Sequence, residues 1–186
     1  MLRLRSTITA PDEECIAHGA KYYCQIDRGW RGRSGRISDE QEVVRWRYGV
    51  RRHPSGRGWA NPFNKADFVV EGADGQMETV IRRASFVPPV FHIMDRDRVI
   101  GRIRMISPLR NKYTIDINGV NSWTFRMPLF TILFHGDSNN SSNKTEIWVA
   151  VGPSEMEWSI LIRPGINDRH LISALAFIHN ERWHYA

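Results

Sequence analysis

The chain has 186 residues, enough for one domain with a sizeable buried core. Hydrophobic residues make up 41% and charged residues 25%, a globular balance that excludes wholesale disorder. The net charge is +6, and all of it comes from residues 1–65, where 13 Lys and Arg face 7 Asp and Glu; residues 66–186 hold 13 of each.

No apolar run approaches the roughly 18 residues of a membrane-spanning helix, and the opening residues Met1 to Arg5 lack the apolar stretch of a signal peptide. The expectation is a cytoplasmic protein with no transmembrane segment, peripheral to a membrane if it meets one. Cys15 and Cys24 are too few for a disulfide scaffold or a Cys-rich zinc module, and are expected to be reduced, partly buried thiols.

In chain order, Leu2 to Ile8 is a candidate strand. Residues 9–21 read as a loop or short helix, with Pro11 suited to a first turn and Asp12 to Glu14 suited to the helix dipole. Tyr22 to Ile26 is a short β-type run. Gly29 to Asp39 is rich in Gly, Arg and Ser and reads as a loop. In Val43 to Val50, Val44, Trp46, Tyr48 and Val50 point one way while Arg45 and Arg47 point the other, the mark of a half-buried strand. Residues 51–66 carry two Pro and two Gly and read as a long loop.

From Asp67 onward, strand signals recur: Phe68–Val70, Thr79–Arg83, Val90–Met94, Val99–Met105, Tyr113–Ile117, Trp123–Met127, Phe130–Phe134, Ile147–Val151 and Trp158–Ile162. Turn chemistry separates them at Asp74-Gly75, Pro88-Pro89, Asn118-Gly119 and the polar run Gly136 to Lys144. Asn118-Gly119 suits a tight hairpin, because both residues accept positive φ. Strands at this spacing without helical periodicity indicate an antiparallel sandwich or barrel. Pro164-Gly165 then breaks the pattern, and Asn167 or Asp168 can cap a helix. Leu171 to Ile178 (LISALAFI) is apolar at every position but Ser173, all the way round a helix. Such a helix is buried on every face.

Three segments resemble the Tubby-like C-terminal superfamily, which includes the LURP-one-related proteins and the phospholipid scramblases. They are Val90 to Ile103, similar to its strand–acidic turn–strand phrase; Trp158 to Gly165, similar to its last strand and Pro-Gly exit; and Asn167-Asp168 with Leu171 to Ile178, similar to its capped central helix. The likeness covers about residues 66–186 and departs from the phrase at Arg98, where a turn Gly is usual. It implies a mainly β protein, a single antiparallel barrel of about twelve strands enclosing a hydrophobic C-terminal α-helix. Residues 1–186 would form that one domain, with Leu2–Ile8, Tyr22–Ile26 and Val43–Val50 completing the count. Tubby proteins bind phosphoinositides through basic residues, scramblases are tied to membranes and calcium, and LURP-one-related proteins have no firmly assigned activity. The scramblases' Cys-rich lipidation stretch and Pro-rich N-terminus are absent, and no Tubby lipid-site motif matches.

Catalytic signals are weak. Asp95 and Asp97 flank Arg96 as a turn, with too few oxygens for a calcium loop. His179, Glu181 and His184 have the wrong spacing for the zinc-protease pattern, which needs two His four apart. Gly32-Arg33-Ser34-Gly35 is one residue short of a nucleophile elbow, and no phosphate loop or dinucleotide fingerprint occurs. Asn139 and Asn143 open glycosylation acceptor patterns, which mark an exposed polar loop.

The strongest functional signal is Arg28, Trp30, Arg31, Arg33 and Arg36, continued by Arg45, Arg47, Arg51, Arg52 and Arg57, with Trp46, Tyr48 and Trp59 interleaved. Arg dominates the cations, 22 against 4 Lys, and pairs bidentately with phosphate. This set fits an anionic lipid or membrane surface, where Trp sits at the interface. It also fits nucleic acid, with phosphate contacts and base stacking. The bland alternative is a surface loop whose Trp rings pack under the barrel. We expect a non-enzymatic protein that binds anionic lipid through this segment, with a nucleic-acid-binding module as the alternative and with neither cofactor nor metal. Nothing in the sequence speaks to oligomeric state.

Overall fold

Buried and exposed side chains alternate along the strands, and the alternation closes on itself. The computed structural model describes residues 10–27, 34–52, 66–76, 78–106, 112–127, 133–140, 144–153, 156–166 and 169–183. A short helix, α1 (Glu13–His18), precedes twelve strands: β1 (Ala20–Ile26), β2 (Ser34–Asp39), β3 (Val44–Arg52), β4 (Ala66–Gly72), β5 (Glu78–Phe86), β6 (Pro89–Asp95), β7 (Arg98–Met105), β8 (Lys112–Ile117), β9 (Asn121–Arg126), β10 (Leu133–Ser138), β11 (Thr145–Val151) and β12 (Glu157–Ile162). The last element is α2 (Arg169–Trp183). Every strand pairs antiparallel with its sequence neighbours, and β1 pairs with β12, giving a closed up-and-down barrel. Closure leaves no strand edge open to another chain.

α2 fills the barrel. Leu171 to Asn180 are all buried, so the helix is enclosed on every side, as its uniformly apolar sequence requires. Phe177 packs edge-on against Phe68 at 5.5 Å between centroids and tilts against Phe91 at 4.6 Å. The inward-facing Ile37, Ile93, Ile103, Ile115 and Ile117 complete the core. Its first turn is tied to the wall: Arg169 donates to Asp95 Oδ2 at 2.5 Å, and His170 Nδ1 lies 3.3 Å from Thr79 Oγ1.

The first third belongs to this barrel through β1, β2 and β3. Leu2–Ile8 lies outside the described residues, and the strand that stands with β1 and β3 is β2, inside the segment read as a loop. Gly35, Ile37 and Asp39 face inward, so the period of two is present but carried by residues that do not look like a strand. Gly35 is required by close approach: a Cβ there would lie 2.3 Å from the Tyr48 ring. Arg51, Arg52 and Ala66, read as loop, extend β3 and β4. β10 starts at Leu133 and takes Gly136 to Ser138 from the run read as a turn, again because a glycine admits a ring, Phe125, against its backbone. Phe130, Thr131 and Ile132 lie outside the described residues.

Asn118 and Gly119 adopt φ of 54° and 67°, as the hairpin reading requires. In the β6–β7 turn, the positive φ falls on Arg96, so Arg98 simply begins β7. Asp12 rather than Pro11 organises α1: its carboxylate caps the helix by accepting from the Cys15 N–H at 2.9 Å.

The enclosed helix leads to a direct expectation. Leu175 is fully buried. Leu175→Ala should cost about 2–5 kcal/mol and still fold. Leu175→Asp places an unpaired charge in the core and should abolish the cooperative thermal transition. A Leu175→Asp chain that melts like the parent would contradict the enclosed helix.

Candidate functional site

An up-and-down barrel sends alternate connections to opposite ends, so the register sorts the charged residues by end. The connections 27–33, 53–65, 87–88, 106–111, 127–132 and 152–156 leave the end at which α2 finishes. In sequence they carry six Arg or Lys against two Asp or Glu. The segment 12–19 and the connections 40–43, 73–77, 96–97, 118–120, 139–144 and 163–168 belong to the end at which α2 begins, and carry three against eight. The connections are thus basic in sequence at one end and acidic at the other; the six cations of the first set lie outside the described residues.

Arg28, Trp30, Arg31, Arg33, Arg57 and Trp59 lie outside the described residues, as does the side chain of Arg52 on β3. Four arginines of the candidate set are described. Arg36 and Arg47 are directly opposite each other on β2 and β3, both exposed on the outer face. Arg36 donates to Gln25 Oε1 from Nε at 2.9 Å, and neither has an acidic partner among the described residues. Arg45 donates to Asp39 at 2.6 Å, and Arg51 is ion-paired with Glu71. Arg51 also stands beside the bidentate Arg82–Asp67 pair at one side of a groove of about 350 Å³ floored by Val69, Val80 and Met94. Trp46 and Tyr48 point into the barrel, away from these arginines, as the packed reading of the aromatics requires.

A second basic cluster went unrecognised in the sequence. Lys112 and Arg126 are directly opposite on β8 and β9, and Arg104 on β7 pairs with Thr114, one step along the same face. None of the three has an acidic partner among the described residues. In the closed strand order β8 and β9 stand across the barrel from β2 and β3. Like charges directly opposed across a strand pair destabilise a sheet; Lys112/Arg126 stands at the end at which α2 finishes, and Arg36/Arg47 about midway along the opposite wall. The signal was legible in principle, since Arg104, Lys112 and Arg126 occupy outward positions of alternating strands.

The other candidates have structural partners. Asp95 holds Arg169 and lies 3.8 Å from His170 Nε2. His179 is buried and stacks on Trp158 at 4.4 Å between centroids. Asn180 is also buried, with no hydrogen-bond partner for its Oδ1 among the described residues. No group of three or more His, Cys, Asp or Glu is placed to hold a metal ion among the described residues. Cys15 and Cys24 are free and buried; burial pushes the Cys24 thiol up to about 12. Compared with family models, curated proteins and solved structures, the chain matches none.

At the acidic end, two carboxylates are stabilised in their charged form. The Arg163 guanidinium, donating at 2.8 Å, and the Cys15 N–H hold the Asp12 carboxyl below its usual range. Burial acts against ionisation of Asp39, but Arg45 and the backbone N–H groups of Val43 and Gln41 outweigh it and lower its pKa. Carboxyls depressed in the folded state favour folding above the unfolded value of about 3.9, and that contribution is lost as the pH falls below it. The melting temperature should therefore drop steeply below about pH 4, and Asp39→Asn should lower it at neutral pH while flattening the acid drop. An unchanged acid profile in Asp39→Asn, read by calorimetry, would contradict this assignment.

Proposed function

We propose that the protein is a binding protein that docks end-on to an anionic lipid surface through the end at which α2 finishes. The observation that carries this reading is the opposed like-charge pair Lys112/Arg126 at that end, with Arg104 on the same face, joined by a second opposed pair, Arg36/Arg47, about midway along the wall across the barrel. In the free protein each pair is repulsive, and anionic headgroups relieve that repulsion. Exposed apolar residues lie at the same end, with Val87 90% exposed beside Phe86, and Ile106 at the close of β7. Apolar tips among cations match the layered chemistry of a membrane interface. The twelve-stranded barrel around an apolar helix also supports placing the chain with the Tubby-like C-terminal superfamily, and the anionic inner leaflet of a cell membrane is the surface that fits.

The test is co-sedimentation of the full chain with phosphatidylcholine vesicles, with and without phosphatidylserine, at low and high salt. Binding should need the anionic lipid and weaken with salt. At about 1 kcal/mol per basic residue, Arg36→Gln/Arg47→Gln should weaken it roughly thirtyfold, and so should Lys112→Gln/Arg126→Gln. Parent-like binding by both double variants would refute the proposal. Displacement of the protein from vesicles by stoichiometric oligonucleotide would replace lipid with nucleic acid as the ligand.

A further inference from the structure

The acidic end holds a cleft of about 720 Å³, within the size range of small-ligand sites. Its floor is Trp46, which points inward from β3 and is half-buried. Tyr22 backs the indole at 5.7 Å between centroids, tilted by 56°. The residue opposite Trp46 on β4 is Gly72, which has no side chain to lay across the indole. Two turns frame the cleft, the β2–β3 turn with Glu40 and the β4–β5 turn with Asp74. An aromatic side chain with two exposed carboxylates beside it, at the end of the barrel where acids outnumber bases seven to three among the described residues of its connections, is complementary to a positive charge on an apolar body.

We propose that this cleft binds an organic cation, an alkylammonium or guanidinium group, against the face of Trp46. The two cations on its own wall do not fill that role. Arg45 is held by Asp39 at 2.6 Å, and Asp39 is also occupied by the N–H groups of Gln41 and Val43. Lys21 faces Glu40 at 3.9 Å with both side chains substantially exposed, a weak pair that an incoming cation can displace. Among the described residues Asp74 accepts from the Gln76 N–H alone, at 3.1 Å through Oδ1, which leaves its other oxygen for a ligand. A bare metal ion is the wrong occupant, because an indole offers no ligand atom and the carboxylates sit on separate turns. A poorly hydrated organic cation uses ring and carboxylates together. The site lies at the opposite end of the barrel from the proposed lipid surface and stands independently of it.

The experiment is an NMR titration of the full chain with tetramethylammonium chloride and, separately, with N-acetylarginine amide, against sodium chloride at matched ionic strength. The Trp46 indole N–H and the Gly72 to Asp74 amides should shift saturably with at least one of the two probes, and the probe that saturates at lower concentration names the headgroup, ammonium or guanidinium. Asp74→Asn, which preserves the acceptor for Gln76, should weaken binding several-fold without changing the melting temperature, while Lys21→Ala should strengthen it by freeing Glu40. Trp46→Leu should abolish it. Shifts no larger than those from sodium chloride with either probe would overturn the proposal, as would equal affinity in the parent and Asp74→Asn.

Discussion

A helix that is apolar on every face has no stable place in water, and the rest of this structure follows from housing it. Leu171 to Ile178 must be surrounded, and an open sheet can cover only one side. Twelve antiparallel strands closed through β1 and β12 surround it completely and in doing so remove every sheet edge. The strand interiors are then committed to packing. That commitment extends to Tyr48, whose position among arginines in the sequence suggests a surface role but whose ring faces the core, while Trp46 packs against the core and stays half-exposed at the barrel end. Only outward residues and barrel ends remain for recognition.

The two ends are chemically distinct because of connectivity. In an up-and-down barrel each hairpin delivers its turn to a fixed end, so the short turns that carry Glu40, Glu42, Asp74 and Asp97 gather where α2 begins. Three acids near the first end are used internally. Asp12 caps α1 and holds Arg163, Asp39 organises the β2–β3 turn, and Asp95 anchors the start of α2. The opposed pairs Lys112/Arg126, at the other end, and Arg36/Arg47, midway along the wall, have no acidic partner among the described residues. That contrast, more than the net charge, separates cations serving the fold from those available to a ligand.

The architecture was legible because its determinants are local. The alternation through Val44 to Val50, the Asn118-Gly119 turn and the all-apolar LISALAFI run each depend on side chains close in sequence. The missed pieces depend on partners far away. β2 presents a glycine and an aspartate to the interior, and its strand character rests on Tyr48 lying over Gly35. β10 was misplaced for the same reason, with Phe125 over Gly136. The candidate site was less legible still, because which arginines face one another is set by register. A bulge between Ile37 and Ser38 decides what Ser38 and its successors oppose, and no residue count in the sequence reveals it. Ion pairing is likewise invisible there: Arg45 and Arg51 belong to the same run as Arg47, yet each has a carboxylate partner and Arg47 has none among the described residues.

The claim on which everything else rests is that barrel and helix are one cooperative unit, neither stable without the other. Native-state hydrogen exchange of the α2 backbone amides tests it most directly. The account predicts that the amides of Leu175 to Ile178 exchange only through global unfolding, with the same free energy and denaturant dependence as those of inward-facing strand residues such as Ile103 and Ile115. Exchange of α2 at a distinctly lower free energy, with the strands still protected, would show a helix that leaves a standing barrel and would contradict the account.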